Sequence, residues 1–160
     1  MSAREATIAA VKTWIGTPYH HRAKLKGYGV DCGQLIIAAF AEAGHIEDFE
    51  TGDYTCDWHL HRSQEKYLSF VERHLVRVDD SEDLSVDERL ILDPNWTIAP
   101  GDVVVFRVGR TFSHGGVCTG WPNMVHSYFP AETVEECSLL ADKALAERPM
   151  RVYTFEGYGS

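Results

Sequence analysis

Apolar positions in the first part of the chain recur at helical spacing, whereas those in the last third gather in short, β-branched runs typical of strands. Ser2-Ala3-Arg4-Glu5 is a capping-box pattern, and Ile8, Val11, Trp14 and Ile15 follow at helical intervals, which predicts a first helix running up to Gly16. Thr17-Pro18-Tyr19 must be extended or turned, because proline disfavours the helical region for the residue before it. A polar, glycine-containing loop from Gly16 to Gly29 then leads into Val30-Asp31-Cys32-Gly33-Gln34-Leu35-Ile36-Ile37, and the apolar, alanine-rich run ends at Gly44. That stretch predicts a second helix over Cys32 to Ala43, with Asp31 as N-cap and Gly44 just past the C-terminus. Asp57 can cap a third helix with Leu60, Tyr67, Leu68, Val71 and Leu75 as its buried stripe. The acidic stretch from Asp79 to Asp93 is read as a solvated loop or a short surface helix.

After Pro100-Gly101-Asp102 the pattern changes to strands, beginning with the β-branched, apolar Val103 to Val108. Val103 to Val108, Gly115 to Thr119 and Met124 to Tyr128 are expected as strands, punctuated by Gly109-Arg110 and Gly120-Trp121-Pro122-Asn123. A short helix within Ser138 to Glu147 and a last strand over Arg151 to Phe155 complete the chain. Helices first and antiparallel strands after them give a single α+β domain spanning 1–160, with the N-terminal helices packed on a C-terminal β-sheet.

Composition narrows the function classes. The chain has 160 residues, 44% hydrophobic and 24% charged, enough for one ordinary globular core. A net charge of -9 argues against nucleic-acid binding, which needs a basic footprint. No apolar run approaches the ~20 residues of a membrane span. The start, Met1-Ser2-Ala3-Arg4-Glu5, lacks the pattern of a signal peptide, so the protein is expected to remain in the cytosol where it is made unless another route carries it out. Cys32, Cys56, Cys118 and Cys137 show neither a disulfide framework nor a CxxC zinc pattern.

Cys32 falls in the first turn of the second helix, where unpaired backbone N–H groups and the positive end of the helix dipole favour a thiolate. The charge of Asp31 works against this, so a basic partner is needed. A cysteine nucleophile requires a base and a group that orients the base, and the strands supply His114 and His126. A three-residue turn, Gly120-Trp121-Pro122, would pair Thr119 with Asn123 and Gly116 with His126. His114 would then lie diagonal to His126 on the same face, at ~7–8 Å between backbones. Gly116, without a side chain, would leave room for the two rings.

Trp14-Ile15-Gly16-Thr17-Pro18-Tyr19, Asp31-Cys32, Gly101-Asp102-Val103-Val104-Val105-Phe106, Ser113-His114-Gly115-Gly116-Val117 and Val125-His126-Ser127 resemble, in order and spacing, the motifs of NlpC/P60 cysteine peptidases. These are papain-like enzymes that cut bacterial cell-wall peptides. Tyr19-His20-His21 through Asp31-Cys32, and Asp57-Trp58-His59-Leu60-His61-Arg62, resemble the subgroup encoded beside phage tail genes. The resemblance implies Cys32 as nucleophile, His114 as general base, His126 as the group that orients it, and Tyr19 as a residue that polarises the scissile carbonyl together with the Cys32 backbone N–H. It implies a peptidoglycan stem peptide as substrate, cut between γ-D-glutamate and diaminopimelate, with phage tail proteins as further partners and no cofactor. Where the family commonly has Asp-Cys-Ser-Gly-Leu, this chain has Asp31-Cys32-Gly33-Gln34-Leu35, so Gln34 is expected to alter the substrate pocket. His20, His21, Gln34 and Ser113 are the candidate substrate contacts.

The remaining residues have plainer readings. Cys56, Cys118 and Cys137 are expected to be small buried hydrophobes. His20-His21 and His59-Leu60-His61 do not have ligand spacing, so no metal is expected. Trp14 reads as core and Trp121 as a turn residue. Two other functions fit the same motifs: an amidase or acyltransferase using the same thiol, and a tail component that keeps the fold for assembly.

Overall fold

The computed structural model describes residues 1–49, 66–78 and 82–159. Ser2 caps helix α1 (Ala3–Lys12) through a reciprocal capping box with Glu5. The helix stops short of Gly16: Thr13 to Gly16 form a turn, and Gly16, at φ +91°, passes the chain to an extended segment. Trp14 still packs inward, 3% exposed, its indole N–H donating to Glu42 Oε1 at 2.9 Å.

Strands β1 (Lys24–Leu25) and β2 (Gly29–Val30) make a small hairpin ahead of helix α2 (Cys32–Glu42). Helix α2 has the expected caps, with Asp31 extended at its start and Gly44 at φ +80° just beyond its end. Its residues 34–40 are all buried, as an apolar segment this uniform requires. Helix α3 (Lys66–His74) carries Leu68 and Val71, and Leu75 just after it is also buried. The expected cap Asp57 and stripe residue Leu60 lie outside the described residues. Strand β3 (Val76–Arg77) follows, and then helix α4 (Val86–Leu92), whose start is a second capping box between Ser85 and Glu88. The acidic stretch therefore contains a short helix anchored by Val86 and Arg89, while Ile91 and Leu92 stay exposed.

The rest is a sheet. β4 (Val103–Val108), β5 (Thr111–Gly120), β6 (Asn123–Tyr128), β7 (Thr133–Ser138) and β8 (Met150–Thr154) join β3 in the order β3-β8-β4-β5-β6-β7, with every neighbouring pair antiparallel. Helix α5 (Lys143–Ala146) is shorter than the helix expected there: β7 takes Ser138, a turn follows, and Asp142 caps the helix. Alternation divides the sheet residues between two cores. Val103, Val105, Val117 and Val125 face α1, α2 and α3, whereas Val104, Phe106, Cys118 and Met124 pack with Val86, Ile98, Leu139 and Leu145. Among the described residues no helix is long and apolar enough to cross a membrane.

The β5–β6 register is the expected one in its body, since Val117 pairs with Val125 and Cys118 with Met124. The turn differs: Gly120, not Thr119, pairs with Asn123, so two residues make the loop and Thr119 is the extra residue of a bulge. Gly116 also has a different role from the one expected. A Cβ there would meet the Val125 carbonyl oxygen at 2.6 Å and Met124 Sδ at 2.8 Å, so its smallness serves the packing of Met124 and the neighbouring strand.

Candidate active site

Three segments converge at the start of α2. The first is the turn that holds the helix cap. Asp31, 3% exposed, accepts from the Gln34 backbone N–H through Oδ1 at 2.9 Å and from the Arg22 N–H through Oδ2 at 2.8 Å. One carboxylate thus fixes both the helix start and the loop that crosses it. His21 Nδ1 stands 3.9 Å from the same Oδ2.

The second is an extended strap from Gly16 to His20, held between β2 and β7. Gly16 N–H donates to the Val134 carbonyl, Val134 N–H to Thr17, Tyr19 N–H to Glu132 and His20 N–H to Val30. Tyr19 is half-buried, and its ring stands edge-on to exposed Phe129 with centroids 5.4 Å apart. The third segment is the start of β5. As a thiol, Cys32 donates to the Ser113 carbonyl oxygen at 3.5 Å, immediately before His114. Ser127 Oγ donates to the Val30 carbonyl at 2.7 Å and ties β6 to the same corner.

His114 and His126 meet directly, Nε2 to Nδ1 at 2.8 Å, which puts both rings on one side of the sheet. Their other neighbours are aromatic: Tyr128 stacks on His126 at 4.6 Å, and Phe106 lies over His114 at 6.4 Å. Burial pushes the His114 pKa well below the usual imidazole value, and His126 and Arg148 push it the same way. Burial also lowers His126, against the opposing pull of Glu135 and Asp142. Neutral imidazoles are therefore the resting state, and a neutral imidazole is what a general base must be.

The expected substrate contacts fall into two groups. His20 is exposed and His21 half-buried beside the strap. Gln34 is 3% exposed and Ser113 7%, with the Ser113 hydroxyl donating to Thr111 O at 3.4 Å, so it is the carbonyl of Ser113 that meets the thiol. Trp121 does sit in the β5–β6 turn, and it also packs edge-on to Trp96 at 5.2 Å. Cys56, His59 and His61 lie outside the described residues. Among the described residues no group of three or more His, Cys, Asp or Glu side chains is placed to hold a metal ion.

One residue at the site escaped the sequence reading. Glu135, directly opposite His126 on β7, places Oε1 3.2 Å from His126 Nε2. The alternation of Val134 between polar neighbours was the available signal for that strand. An apolar groove also opens between α2 and α3, and Gly33, the residue after Cys32, begins its wall.

No family model matches the sequence, and no curated relative was found. Solved structures do match over nearly the whole chain. NlpC1 from Trichomonas vaginalis superposes with a TM-score of 0.61 at 17% identity over 96% of this chain, which spans 45% of that protein's length. The NlpC/p60 domain of the peptidoglycan hydrolase SagA gives 0.53 at 17% identity, covering 93% of this chain and 97% of that one. RipD from Mycobacterium tuberculosis, a non-catalytic NlpC/p60 domain protein adapted to peptidoglycan binding, gives 0.51 at 14% identity, covering 96% and 98%. The α+β architecture built from these helices and this six-stranded antiparallel sheet is the NlpC/P60 fold.

Proposed function

We propose that the protein is a cysteine hydrolase of peptidoglycan stem peptides, cutting between γ-D-glutamate and diaminopimelate, and delivered with a phage tail. The observation that carries this reading is the join of α2 to β5. A thiol at a helix start is held against the strand that presents His114, whose Nε2 is already engaged by His126. That leaves Nδ1 of His114 as the nitrogen for the thiol proton.

The chemistry then follows from the groups in place. His114 Nδ1 takes the Cys32 proton as sulfur attacks the γ-carbonyl carbon. The oxyanion is met by the Cys32 backbone N–H, in the first turn of the helix, and by the Tyr19 hydroxyl. Collapse expels the diaminopimelate amine, which His114 protonates, and a thioester to Cys32 remains. Water, deprotonated by His114, releases the D-glutamyl carboxylate and restores the thiol. The motif pattern of Tyr19-His20-His21 and Asp31-Cys32 supports the phage-tail context, with tail proteins as partners.

Digestion of purified peptidoglycan by the wild type and by Cys32→Ala, with fragments identified by mass spectrometry, tests the reading. Stems ending in γ-D-glutamate are expected from the wild type alone. A second reading has support from RipD: binding of peptidoglycan without cleavage. Equal retention of both proteins on sacculi with no fragments released would establish that reading instead.

A further inference from the structure

The pairing of His114 with His126 leaves open which nitrogens carry protons, and the direction decides whether His114 can act as a base. We infer that Glu135 is a positioning residue that sets the proton order of a Glu135–His126–His114 chain, so that Nδ1, the His114 nitrogen left for the Cys32 proton, is unprotonated. This rests on the reading of Cys32 as the nucleophile.

A carboxylate oxygen only accepts, so the 3.2 Å contact requires the proton of His126 to sit on Nε2. A neutral imidazole has one N–H, so His126 Nδ1 is then a bare acceptor. At 2.8 Å it takes the N–H of His114 Nε2, and His114 is left with its lone pair on Nδ1. The opposite order would set a bare His126 Nε2 against a carboxylate oxygen, two acceptors facing each other. It would also leave His114 with Nδ1–H, which cannot take a proton from sulfur.

The position of Glu135 is built in by register. His126 and Glu135 are cross-strand partners, whereas the next pair, Val125 with Glu136, faces the other way, and Glu136 bonds Thr119 instead. The other charged and titratable neighbours do not replace Glu135. Asp142 acts on His126 through space with the same sign, Arg148 opposes protonation of His114, and Cys137 lies two residues along β7. Tyr128 contributes its ring, stacked at 20° on His126.

The test compares Glu135→Gln with Glu136→Gln, which removes the same charge one residue away on the opposite face. Two readouts need no substrate: the pH profile of Cys32 alkylation by iodoacetamide, and the ring ¹⁵N shifts of His114 and His126. The wild type is expected to show N–H at Nε2 in both rings. In Glu135→Gln the amide can donate to His126 Nε2 and invert the chain, so alkylation at neutral pH should fall by on the order of tenfold or more. Glu136→Gln should match the wild type in both readouts. Wild-type alkylation and unchanged ¹⁵N shifts in Glu135→Gln would overturn the inference, as would equal losses in both variants. Matching thermal melts establish that the variants fold. If the wild type alkylates as expected yet releases no stem peptides, the proposed substrate fails while the proton chain stands.

Discussion

The start of α2 and the β5–β7 region both carry cysteines, and their environments are opposite. Cys118 lies within β5 with its side chain fully buried, donates to the Ile98 carbonyl at 3.5 Å, and has its pKa pushed up to about 11 by burial. Cys137, half-buried on β7, is pushed up to about 12 by burial and by Asp142, Glu135 and Glu136. Cys32 instead sits where a helix begins, half-buried, against a strand that leads directly to an imidazole. The side chain is the same in all three. What differs is whether it stands at the start of a helix, against the strand that carries His114, or among apolar side chains and carboxylates.

The strongest test of that contrast is Cys32→Ala, expected to abolish both hydrolysis and rapid alkylation, read by fragment analysis and by peptide mapping after iodoacetamide. Loss of labelling at Cys118 or Cys137 instead would break it. His114→Gln should come next, lowering kcat/KM by roughly 10²–10⁴, the usual contribution of a positioned base. Selectivity sharpens the comparison further. At pH 8 only roughly one part in 10³ of Cys118 and one part in 10⁴ of Cys137 is thiolate, so among the three described cysteines Cys32 should account for nearly all early labelling.

The histidines give the pH dependence its sign. Their folded-state pKa values lie below the ordinary ~6.5, so the base form of His114 persists into mild acid and the acid limb of the rate profile should fall below that value. The same shifts, with that of His74, mean that the unfolded chain takes up protons the folded one refuses. Their contribution to stability is complete above pH ~6.5 and declines as the pH falls from there toward the folded-state values, which urea unfolding at pH 7.5 and pH 5 measures. Asp31→Ala should cost about 1 kcal/mol through the lost helix cap, with a larger loss of activity than of stability, because the same carboxylate holds the Arg22 turn. Cys137→Ser should change stability and rate least.

Much of this was legible in the sequence because local rules agreed with the final structure. Ser2 and Glu5 fixed one helix start, Asp31 and Gly44 bracketed another, and the β-branched, apolar run Val103–Phe106 marked a central strand. The His114–His126 contact followed from counting along a ladder whose body holds the expected register. Strand β7 was not legible, because this edge strand buries only one residue, Val134, and most of its other positions are polar. Missing that strand hid Glu135, whose importance is a matter of cross-strand register and not of local sequence. Burial of Gln34 was likewise invisible, since a polar residue in the first turn of a helix reads as solvent-facing until the loop folded over it is known.

Near the far end of β4, Arg4 of α1 bonds both the Pro100 carbonyl and Asp102, Thr154 donates to the same carboxylate, and Tyr158 donates to the Gly101 carbonyl. The residues near both ends of the chain are thus fastened at one pole of the sheet. His114 pairs with Phe106, four residues further along β4, or about 13 Å away at ~3.3 Å per residue. A linker attached at either end would leave from that pole, so its anchor would stand a strand's length along the sheet from the paired histidines.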